Sequence, residues 1–322
     1  MNSIELLTPN LLVDQDKLTE IDHWLKVMNR PQGWHYDMDI IWVLKNIEKT
    51  EIQKGDTILD AGAGMGITQF LLAARGYNVI SLDFTPRDFP PLAQGIFEIE
   101  VKPQDRLGYK HDYMAFIKYG QEKKGNNRDL KSILLQRGLN AVKKGPGYFV
   151  NRLNARYQKM KNMRLNKSEK KKNHDEFGTI RFLRAPFHEI PLEDQAVCAL
   201  VSVSALEHAD LELIDQNINE MKRVVKKGCP LLITTSTTDK KEDWFHEKTQ
   251  GWCFSEESMK KMIGSSANTD FDHAVSERNI LNSALWRSRI DPYYANDPES
   301  GFYKKKVQRL PYLSAGLKII RE

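Results

Sequence analysis

Two aspartates on either side of a glycine-rich stretch have residue types and a spacing that point to chemistry. Asp60 ends the apolar run TILD at 57–60 and is followed by AGAGMG, and Asp83 ends a second apolar run, NVISLD. Glycines at such a turn permit positive φ angles and let a ligand approach the backbone closely. A turn after the first strand of an α/β sheet lies at the carboxyl edge, where ligands bind. Because a carboxylate has two acceptor oxygens, Asp83 is placed to accept hydrogen bonds from both hydroxyls of a ribose.

The segments around this turn have the pattern of a βαβ unit. Between the two apolar runs lies the Ala-rich ITQFLLAARG, which predicts a helix that stops at Gly76. Runs rich in apolar and β-branched residues predict further strands at 179–185, 196–205 and 230–236. Amphipathic helices are predicted at 209–228 and at 255–264. The apolar run at 312–322 predicts a final edge strand.

Alternation of strands and helices predicts an α/β fold, with a mostly parallel sheet covered on both faces. The segment between the second and third predicted strands, 84–178, is too long for a plain crossover. About a dozen residues suffice to connect two parallel strands. We therefore expect an inserted helical lobe in this segment.

Positive charge is concentrated in the insertion. The chain has a net charge of +5, but 118–172 contains 17 basic and three acidic residues, a net +14, which leaves −9 for the remainder. Phe149, Leu153, Tyr157 and Met160 follow helical spacing within it, which predicts a basic amphipathic helix. Such a helix can bind an anionic membrane surface, RNA phosphates, a phosphorylated glycan or the acidic body of its own chain. The size of the charge favours an anionic partner over a merely solvated helix.

The composition excludes several classes of protein. With 322 residues, 40% of them hydrophobic and 28% charged, the chain is globular rather than disordered or fibrous. It contains no apolar run of about 18 residues, and its N-terminus lacks a secretory signal pattern. Cys198, Cys229 and Cys253 are too few and too scattered for a disulfide framework or a zinc site. A cytoplasmic location is expected, with peripheral attachment at the inner face of a membrane as an alternative.

Several segments, taken in order, resemble the successive motifs of class I S-adenosylmethionine-dependent methyltransferases. They are ILDAGAGMG, VISLDFTP, IPLED leading into VCALVSVSALEH, and KKGCPLLITTS. The G-x-G-x-G spacing differs from the G-x-G-x-x-G of nicotinamide and flavin dinucleotide sites. The similarity is closest to the type-11-like small-molecule branch, which shares an L-E-H after the fourth strand, and it covers 40–83 and 179–264.

The resemblance implies a Rossmann-like, doubly wound, mostly parallel sheet of seven strands. The expected organisation is an N-terminal helical lid at 1–50, a Rossmann-like methyltransferase domain at 51–94 and 179–322, and an inserted basic helical lobe at 95–178.

The resemblance also implies which residues bind S-adenosyl-L-methionine. Asp60, Ala61, Gly62, Gly64 and Gly66 would line its amino-acid end, Asp83 and Phe84 its ribose and adenine, and Ser202 and Ser204 its methionine part. Pro186 and Phe187 stand where the family often has an acid followed by a hydrophobic residue that contacts adenine. The acid is therefore missing in this chain.

Methyl transfer from a sulfonium is an in-line displacement, for which the protein mainly aligns the acceptor and excludes water. A hydroxyl acceptor is helped by a general base, and His208, just past the fourth strand, is the candidate. Alternatively, Glu207 and His208 only stabilise the loop and helix that follow the fourth strand. A magnesium-dependent branch of the superfamily has an acid where this chain has Ser204, so no metal site is expected.

Two aromatic segments are candidates for contacts with the substrate. Trp34, His35 and Tyr36 precede the glycine turn and would line a lid, since functional residues concentrate in loops. The alternative is a helix whose Trp24, Trp42 and Leu44 pack on the core. In the segment 244–255, His246 and Trp252 would face the substrate, or the segment only anchors a loop.

The sequence therefore favours an enzyme, a methyltransferase that methylates an oxygen of a small molecule or a glycan. A lipid-linked or otherwise anionic acceptor would suit the basic segment at 118–172. An RNA methyltransferase ranks lower, since no base-modifying signature or RNA-binding domain is present. A cofactor-binding module without catalysis is the remaining alternative.

Overall fold

The computed structural model describes residues 1–28, 36–106, 176–264, 267–296 and 304–322. The predictions for Trp34 and His35 and for the basic segment at 118–172 lie outside these residues. Within the described ranges no helix is both long and apolar enough to cross a membrane.

Eleven strands and nine α-helices form the described part of the chain. The strands are β1 (Ser3–Leu6), β2 (Thr57–Ala61), β3 (Asn78–Asp83), β4 (Ile99–Glu100), β5 (Ile180–Arg184), β6 (Ala199–Val203), β7 (Pro230–Thr237), β8 (Trp244–His246), β9 (Gly251–Cys253), β10 (Asn268–Asp270) and β11 (Leu313–Ile320). The helices are α1 (Gln15–Val27), α2 (Tyr36–Ile47), α3 (Thr68–Ala74), α4 (Pro91–Gln94), α5 (Ile214–Val224), α6 (Glu256–Ile263), α7 (His273–Asn282), α8 (Ala284–Arg289) and α9 (Asp291–Asn296).

Nine of the strands form one sheet in the order β10-β1-β11-β7-β6-β2-β3-β5-β4, and β8 and β9 form a separate hairpin. All pairs in the large sheet are parallel except those that β11 makes with β1 and β7. The predicted mostly parallel Rossmann-like sheet is confirmed, but the expected number of seven strands is wrong. The strands β1, β4 and β10 have four, two and three residues, so their apolar patterns are too short to stand out.

The strand β11 lies inside the sheet, so its prediction as an edge strand is wrong. It pairs with β7 on one side, with Leu313 opposite Thr237, and with β1 on the other, with Ser3 opposite Lys318. The N-terminal segment supplies the neighbour that the sequence of β11 could not reveal. As a result, the beginning of β11 lies at the carboxyl end of β7.

The predicted N-terminal lid and the predicted insertion both contribute to the central sheet. Ser3–Leu6, within the expected lid at 1–50, is β1, and Ile99–Glu100, within the expected insertion at 95–178, is β4. The rest of the described N-terminus includes α1 and α2. Trp24, Trp42 and Leu44 on these helices are buried, as the packing alternative predicts.

Helix α2 packs directly on the strands that lead to the site. It contacts β6, β7 and β11. Gly316 on β11 makes this possible, because a Cβ there would lie 2.4 Å from the Trp42 ring. Tyr36, the first residue of α2, is thereby held beside the carboxyl ends of β6 and β7 and the beginning of β11. On the neighbouring strands β2 and β3, helix α3 takes the corresponding position.

Candidate functional site

The glycine turn after β2 is shaped by two residues with positive φ angles, Gly62 at +75° and Gly64 at +48°. A Cβ at Gly62 would lie 2.4 Å from the Cβ of Ala205 and 2.9 Å from Cζ of Phe187. The loops that follow β5 and β6 therefore pack so closely against the turn that no side chain fits at residue 62. This close approach is the reason for glycine at 62.

The carboxylate of Asp83, at the end of β3, holds the same turn from the neighbouring strand. Its Oδ2 accepts hydrogen bonds from the backbone N–H of Gly64 at 3.0 Å and from Nη2 of Arg87 at 2.9 Å. Its Oδ1 accepts from the backbone N–H and the hydroxyl of Thr85. Both oxygens are therefore engaged, and a ribose would have to exchange with the contacts from Thr85 or Arg87. The ion pair with the buried Arg87 was not predicted from the sequence.

Asp60 lies on β2, next to β3, and its side chain is buried. Burial raises the pKa of Asp60 to about 7, the positive charge of Arg87 opposes this rise, and the negative charge of Asp83 adds to it. Among the described residues its Oδ2 has no hydrogen-bond partner. A buried acceptor without a partner costs free energy, and a ligand that donates to it removes that cost.

The two serines predicted to face the methionine part have different surroundings. Ser202 on β6 is fully buried, and its hydroxyl has no partner within the described ranges. Ser204 has φ of +50°, which is unusual for a residue with a side chain, and turns the chain sharply out of β6. Its hydroxyl donates to Oε1 of Glu207 at 2.5 Å. The structure therefore places Ser204 against an acid of its own chain.

The residues predicted near adenine lie at the rim of the turn. Phe84 is half exposed, at 50%, and directly follows Asp83. Pro186 and Phe187 follow β5 and are partly buried, and the Phe187 ring faces Gly62. Ala61, the last residue of β2, is fully buried.

These features fit a nucleoside sulfonium of the kind the motifs imply. The unpartnered Oδ2 of Asp60 can accept from the ammonium group of its amino-acid end. The glycine turn leaves its backbone open at Gly64, where a Cβ would meet nothing nearer than the Gly62 oxygen at 3.7 Å. Asp83 supplies acceptors for a diol at the adjacent strand end when its contacts from Thr85 or Arg87 are exchanged. When bound, S-adenosylmethionine supplies an already activated methyl group, and the protein has to bind and orient it.

A second acid, Glu207, lies next to this turn on a single-turn 3₁₀ helix, Leu206–His208. Its side chain is buried, and its carboxylate accepts hydrogen bonds from three hydroxyls, those of Ser204 at 2.5 Å, Thr235 at 3.2 Å and Ser236 at 3.4 Å. The polar residues at the end of β7 are thereby turned toward the loop after β6. Through these hydrogen bonds the buried Glu207 links the end of β7 to the loop after β6.

Tyrosines from two separate segments lie near Glu207. Burial raises the pKa of Tyr36 and of Tyr312 well above the usual range, and the negative charge of Glu207 adds to both shifts. Tyr36 keeps 37% of its surface exposed. Tyr312 directly precedes β11, and its ring centroid lies 5.3 Å from that of His246 on β8. The predicted lid residue Tyr36 is thus near this acid, and the predicted substrate residue His246 lies next to Tyr312.

His208, the predicted base, projects outward from the same 3₁₀ turn and is exposed. Its Nδ1 lies 2.9 Å from the backbone oxygen of Gln250. A carbonyl oxygen can only accept, so the proton of the neutral ring is on Nδ1 and Nε2 carries the lone pair. A Cβ at Gly251 would lie 3.2 Å from the ring, which explains the glycine at the start of β9.

The hairpin β8–β9 carries the other two residues predicted to face the substrate. Nδ1 of His246 lies 2.8 Å from the hydroxyl of Thr249, and burial, followed by the positive charge of Lys248, lowers the pKa of His246. Trp252 is partly buried and contacts Phe245 edge-on, with ring centroids 5.3 Å apart. The segment therefore includes a hydrophobic contact between Phe245 and Trp252, and the substrate role of His246 stays a prediction.

Sequence reasoning missed the role of Glu207 as the centre of this group, and it missed Arg87 and Tyr312 altogether. Tyr312 is brought to the carboxyl end of β7 only because β11 runs antiparallel beside that strand. The available sequence signal for Tyr312 was its position as an aromatic residue directly before the last predicted strand. In the described part of the chain no group of three or more His, Cys, Asp or Glu side chains could hold a metal ion.

Comparisons with known proteins give a family match and several similar solved structures. Residues 144–233 match the family model of a methyltransferase domain. Among curated proteins no sequence matches this chain. Similar solved structures include a putative methyltransferase from an antibiotic biosynthesis pathway of Anabaena variabilis, with 14% identity, a TM-score of 0.30, and coverage of 62% of this chain and 46% of that chain.

Two further structures cover more of both chains. The YcgJ protein of Bacillus subtilis has 14% identity and a TM-score of 0.40, with coverage of 87% of this chain and 98% of its own. The 1,6-didemethyltoxoflavin-N1-methyltransferase of Burkholderia thailandensis, solved with its acceptor and S-adenosylhomocysteine, has 11% identity and a TM-score of 0.39, with coverage of 95% and 86%. This chain spans about half the length of the Anabaena protein. None of these likenesses bears on what the chain methylates.

The family match includes β5, β6 and α5, and the glycine turn and the unpartnered Asp60 lie on the neighbouring strand. Residues 144–233 are therefore similar to a methyltransferase domain, and the site beside them has the features that the ordered motifs imply for S-adenosylmethionine.

Proposed function

We propose that this chain is a class I S-adenosylmethionine-dependent methyltransferase, that it methylates an oxygen atom of a small-molecule or glycan acceptor, and that His208 removes the proton from that oxygen. The observation that carries the proposal is the contact between Nδ1 of His208 and the backbone oxygen of Gln250, at 2.9 Å. This contact fixes the tautomer whose Nε2 is a proton acceptor. A hydroxyl needs such an acceptor because it becomes a good nucleophile only as its proton leaves.

The position of His208 supports the same assignment. The 3₁₀ turn that carries it follows β6 directly, at the carboxyl edge where the glycine turn binds the methyl donor. The hairpin β8–β9 braces the ring from the outside through Gln250 and the close approach of Gly251. A base held from behind in this way keeps its orientation when an acceptor arrives.

The surroundings of Glu207 support a small acceptor with a polar, ring-shaped body. Tyr36, with 37% of its surface exposed, offers aromatic surface near a buried carboxylate, and the buried Tyr312 packs between that region and His246. Aromatic side chains bind ring faces and sugar-like surfaces, and a few placed polar groups fix their orientation. This combination is typical of small-molecule sites.

Replacement of His208 tests the base. We expect His208→Gln, which keeps a side-chain N–H donor for Gln250, to lower kcat by about 100- to 10,000-fold, as loss of a general base does. The affinity for S-adenosylhomocysteine, measured by calorimetry, should change less than about twofold, because His208 is not in the glycine turn.

The acceptor itself is found by incubating the enzyme with a deuterated methyl donor and an extract of the source cells, followed by mass spectrometry.

His273→Gln, the same change on α7, is the matched control and should keep full activity. Unchanged turnover of His208→Gln would refute the base. A label found only on nitrogen or carbon would refute the oxygen acceptor and leave the methyltransferase assignment intact.

A further inference from the structure

Two cysteines and a lysine meet at the edge of the sheet opposite the cofactor site. Cys198 directly precedes β6 and Cys229 directly precedes β7. These strands are parallel neighbours, and in the turn that leads into β7 the backbone N–H of Cys229 donates to the oxygen of Lys226 at 3.1 Å. Neighbouring strands are about 4.8 Å apart, within the range of Cα separations that a disulfide spans.

Lys226 lies against the first of these thiols. Its ammonium group donates to Sγ of Cys198 at 3.3 Å, from a side chain that is exposed to solvent. The backbone N–H of Cys198 is fixed by the oxygen of Thr57, at 2.8 Å. An ammonium group in contact with the sulfur stabilises the negative charge on it while it attacks an oxidant.

The second thiol shares this environment. Burial raises the pKa of Cys229, the negative charge of Cys198 raises it further, and Lys226 opposes both effects. The two sulfurs are therefore close enough to act on one another, and both feel the same ammonium group. Cys229 is partly exposed, whereas Cys198 is nearly covered, with 9% of its surface accessible.

The third cysteine provides a contrast within the same chain. Cys253 on β9 is buried, and burial, together with the negative charge of Glu207, raises its pKa to about 12. No ammonium group contacts its sulfur among the described residues. It is therefore expected to be inert toward oxidants.

We propose that Cys198 and Cys229 form an oxidation-sensitive thiol pair, which hydrogen peroxide converts into a reversible disulfide between the amino ends of β6 and β7. Neither residue takes part in binding the methyl donor or the acceptor. The pair is thus a modification site separate from methyl transfer.

The chemistry balances in two steps. The Cys198 thiolate attacks one oxygen of hydrogen peroxide, the O–O bond breaks, and the products are a sulfenic acid and hydroxide, which takes up a proton to become water. The Cys229 sulfur then attacks the sulfenic sulfur, the S–O bond breaks, and a second water leaves with the Cys229 proton. A thiol reductant such as dithiothreitol returns both thiols.

The test uses the full chain, treated with hydrogen peroxide and digested without reduction. We expect one peptide pair joined through Cys198 and Cys229, lighter by two hydrogens than the separate peptides and released by dithiothreitol. Cys229→Ser should instead accumulate a sulfenic acid at Cys198 that dimedone traps. Cys253→Ser is the matched control and should form the disulfide at the rate of the unchanged chain.

Variants of Lys226 test whether its ammonium group activates the two thiols or whether the thiols only lie close together. Lys226→Gln should slow the disappearance of the Cys198 thiol several-fold, up to about tenfold, while Lys226→Arg should keep most of the rate. Oxidation of Cys253 in preference to Cys198, or no disulfide at an excess of peroxide that oxidises free cysteine, would overturn the proposal. An unchanged rate in Lys226→Gln would overturn the activation by the ammonium group. Circular dichroism of each variant confirms that the fold is retained.

Discussion

The affinity of the enzyme for S-adenosylhomocysteine should fall on the order of 30-fold when the pH is lowered from about 8 to about 5.5. The pKa of Asp60 is raised to about 7 by burial, although Arg87 opposes the shift. Near pH 8 most of the Asp60 carboxyl groups are ionised and can pair with the ammonium group of the ligand. Below pH 7 each unit of pH costs about a factor of ten, because binding must first remove a proton.

The sign of this effect follows from the direction of the shift. A raised pKa means that the free protein holds the proton up to about pH 7, and a cationic ligand favours the ionised form. Binding therefore releases protons near pH 6 and the affinity rises with pH through 7. Calorimetry in buffers of different ionisation enthalpy measures both the affinity and the number of protons released.

Asp60→Asn is the control for this titration. The amide has nearly the same shape but no ionisable proton, so its affinity should be weaker at pH 8 and nearly independent of pH. An equal pH dependence in Asp60→Asn would assign the effect to another group. A flat profile in the unchanged protein would show that Asp60 is not the partner of the ammonium group.

The replacement Gly62→Ala should abolish detectable cofactor binding and lower the free energy of unfolding by about 3 kcal/mol. Two causes add up. The positive φ of +75° disfavours any side chain, and the new Cβ would lie 2.4 Å from the Cβ of Ala205. Since Ala205 is anchored by β6, the turn itself must move, and with it the backbone that faces the ligand. Urea unfolding followed by circular dichroism measures the loss.

A second glycine separates backbone strain from the clash. Gly55 also has a positive φ, +91°, but a Cβ there would have no atom within 4 Å. Gly55→Ala should therefore cost only about 1 kcal/mol, with unchanged binding. Equal losses of unfolding free energy in the two variants would mean that backbone strain alone explains the glycine at 62. Ala205 would then move aside without a measurable free-energy cost.

Local patterns were enough to predict the part of the fold that binds the cofactor. The run ending at Asp60, the glycine turn and the run ending at Asp83 are contiguous in sequence, and they form β2, α3 and β3 close to the predicted bounds. Each of these elements has a strong pattern of its own, and their connections are short. Parallel pairing then follows from the handedness of a βαβ unit.

The remaining strands of the sheet depend on pairing across nearly the whole chain. Ser3–Leu6 is too short to have a periodic pattern, and its partner β11 lies about 300 residues later. Without β1 as a neighbour, the apolar run of β11 looked like an edge. Short strands of this kind are specified by the surface that they complete rather than by their own residues.

The acceptor side of the site was only partly predictable for the same reason. His208 and His246 could be identified, because each follows a strand at the carboxyl edge. The cluster around Glu207 could not, because Tyr36 and Tyr312 come from opposite ends of the sequence and meet through β11 and α2. Arg87 was missed because nothing in its local sequence marks an ion pair with Asp83.

The place of β11 between β1 and β7 also has a consequence for biosynthesis. A ribosome makes about 5–20 residues per second, so β1 waits on the order of 15 to 60 s for its antiparallel partner β11 to emerge. β7 is made about 80 residues before β11, so its edge of buried residues, Pro230–Thr237, stays unpaired for roughly 4 to 16 s. Unfinished chains are therefore the state in which this protein is most prone to aggregate, and the state that a chaperone would protect.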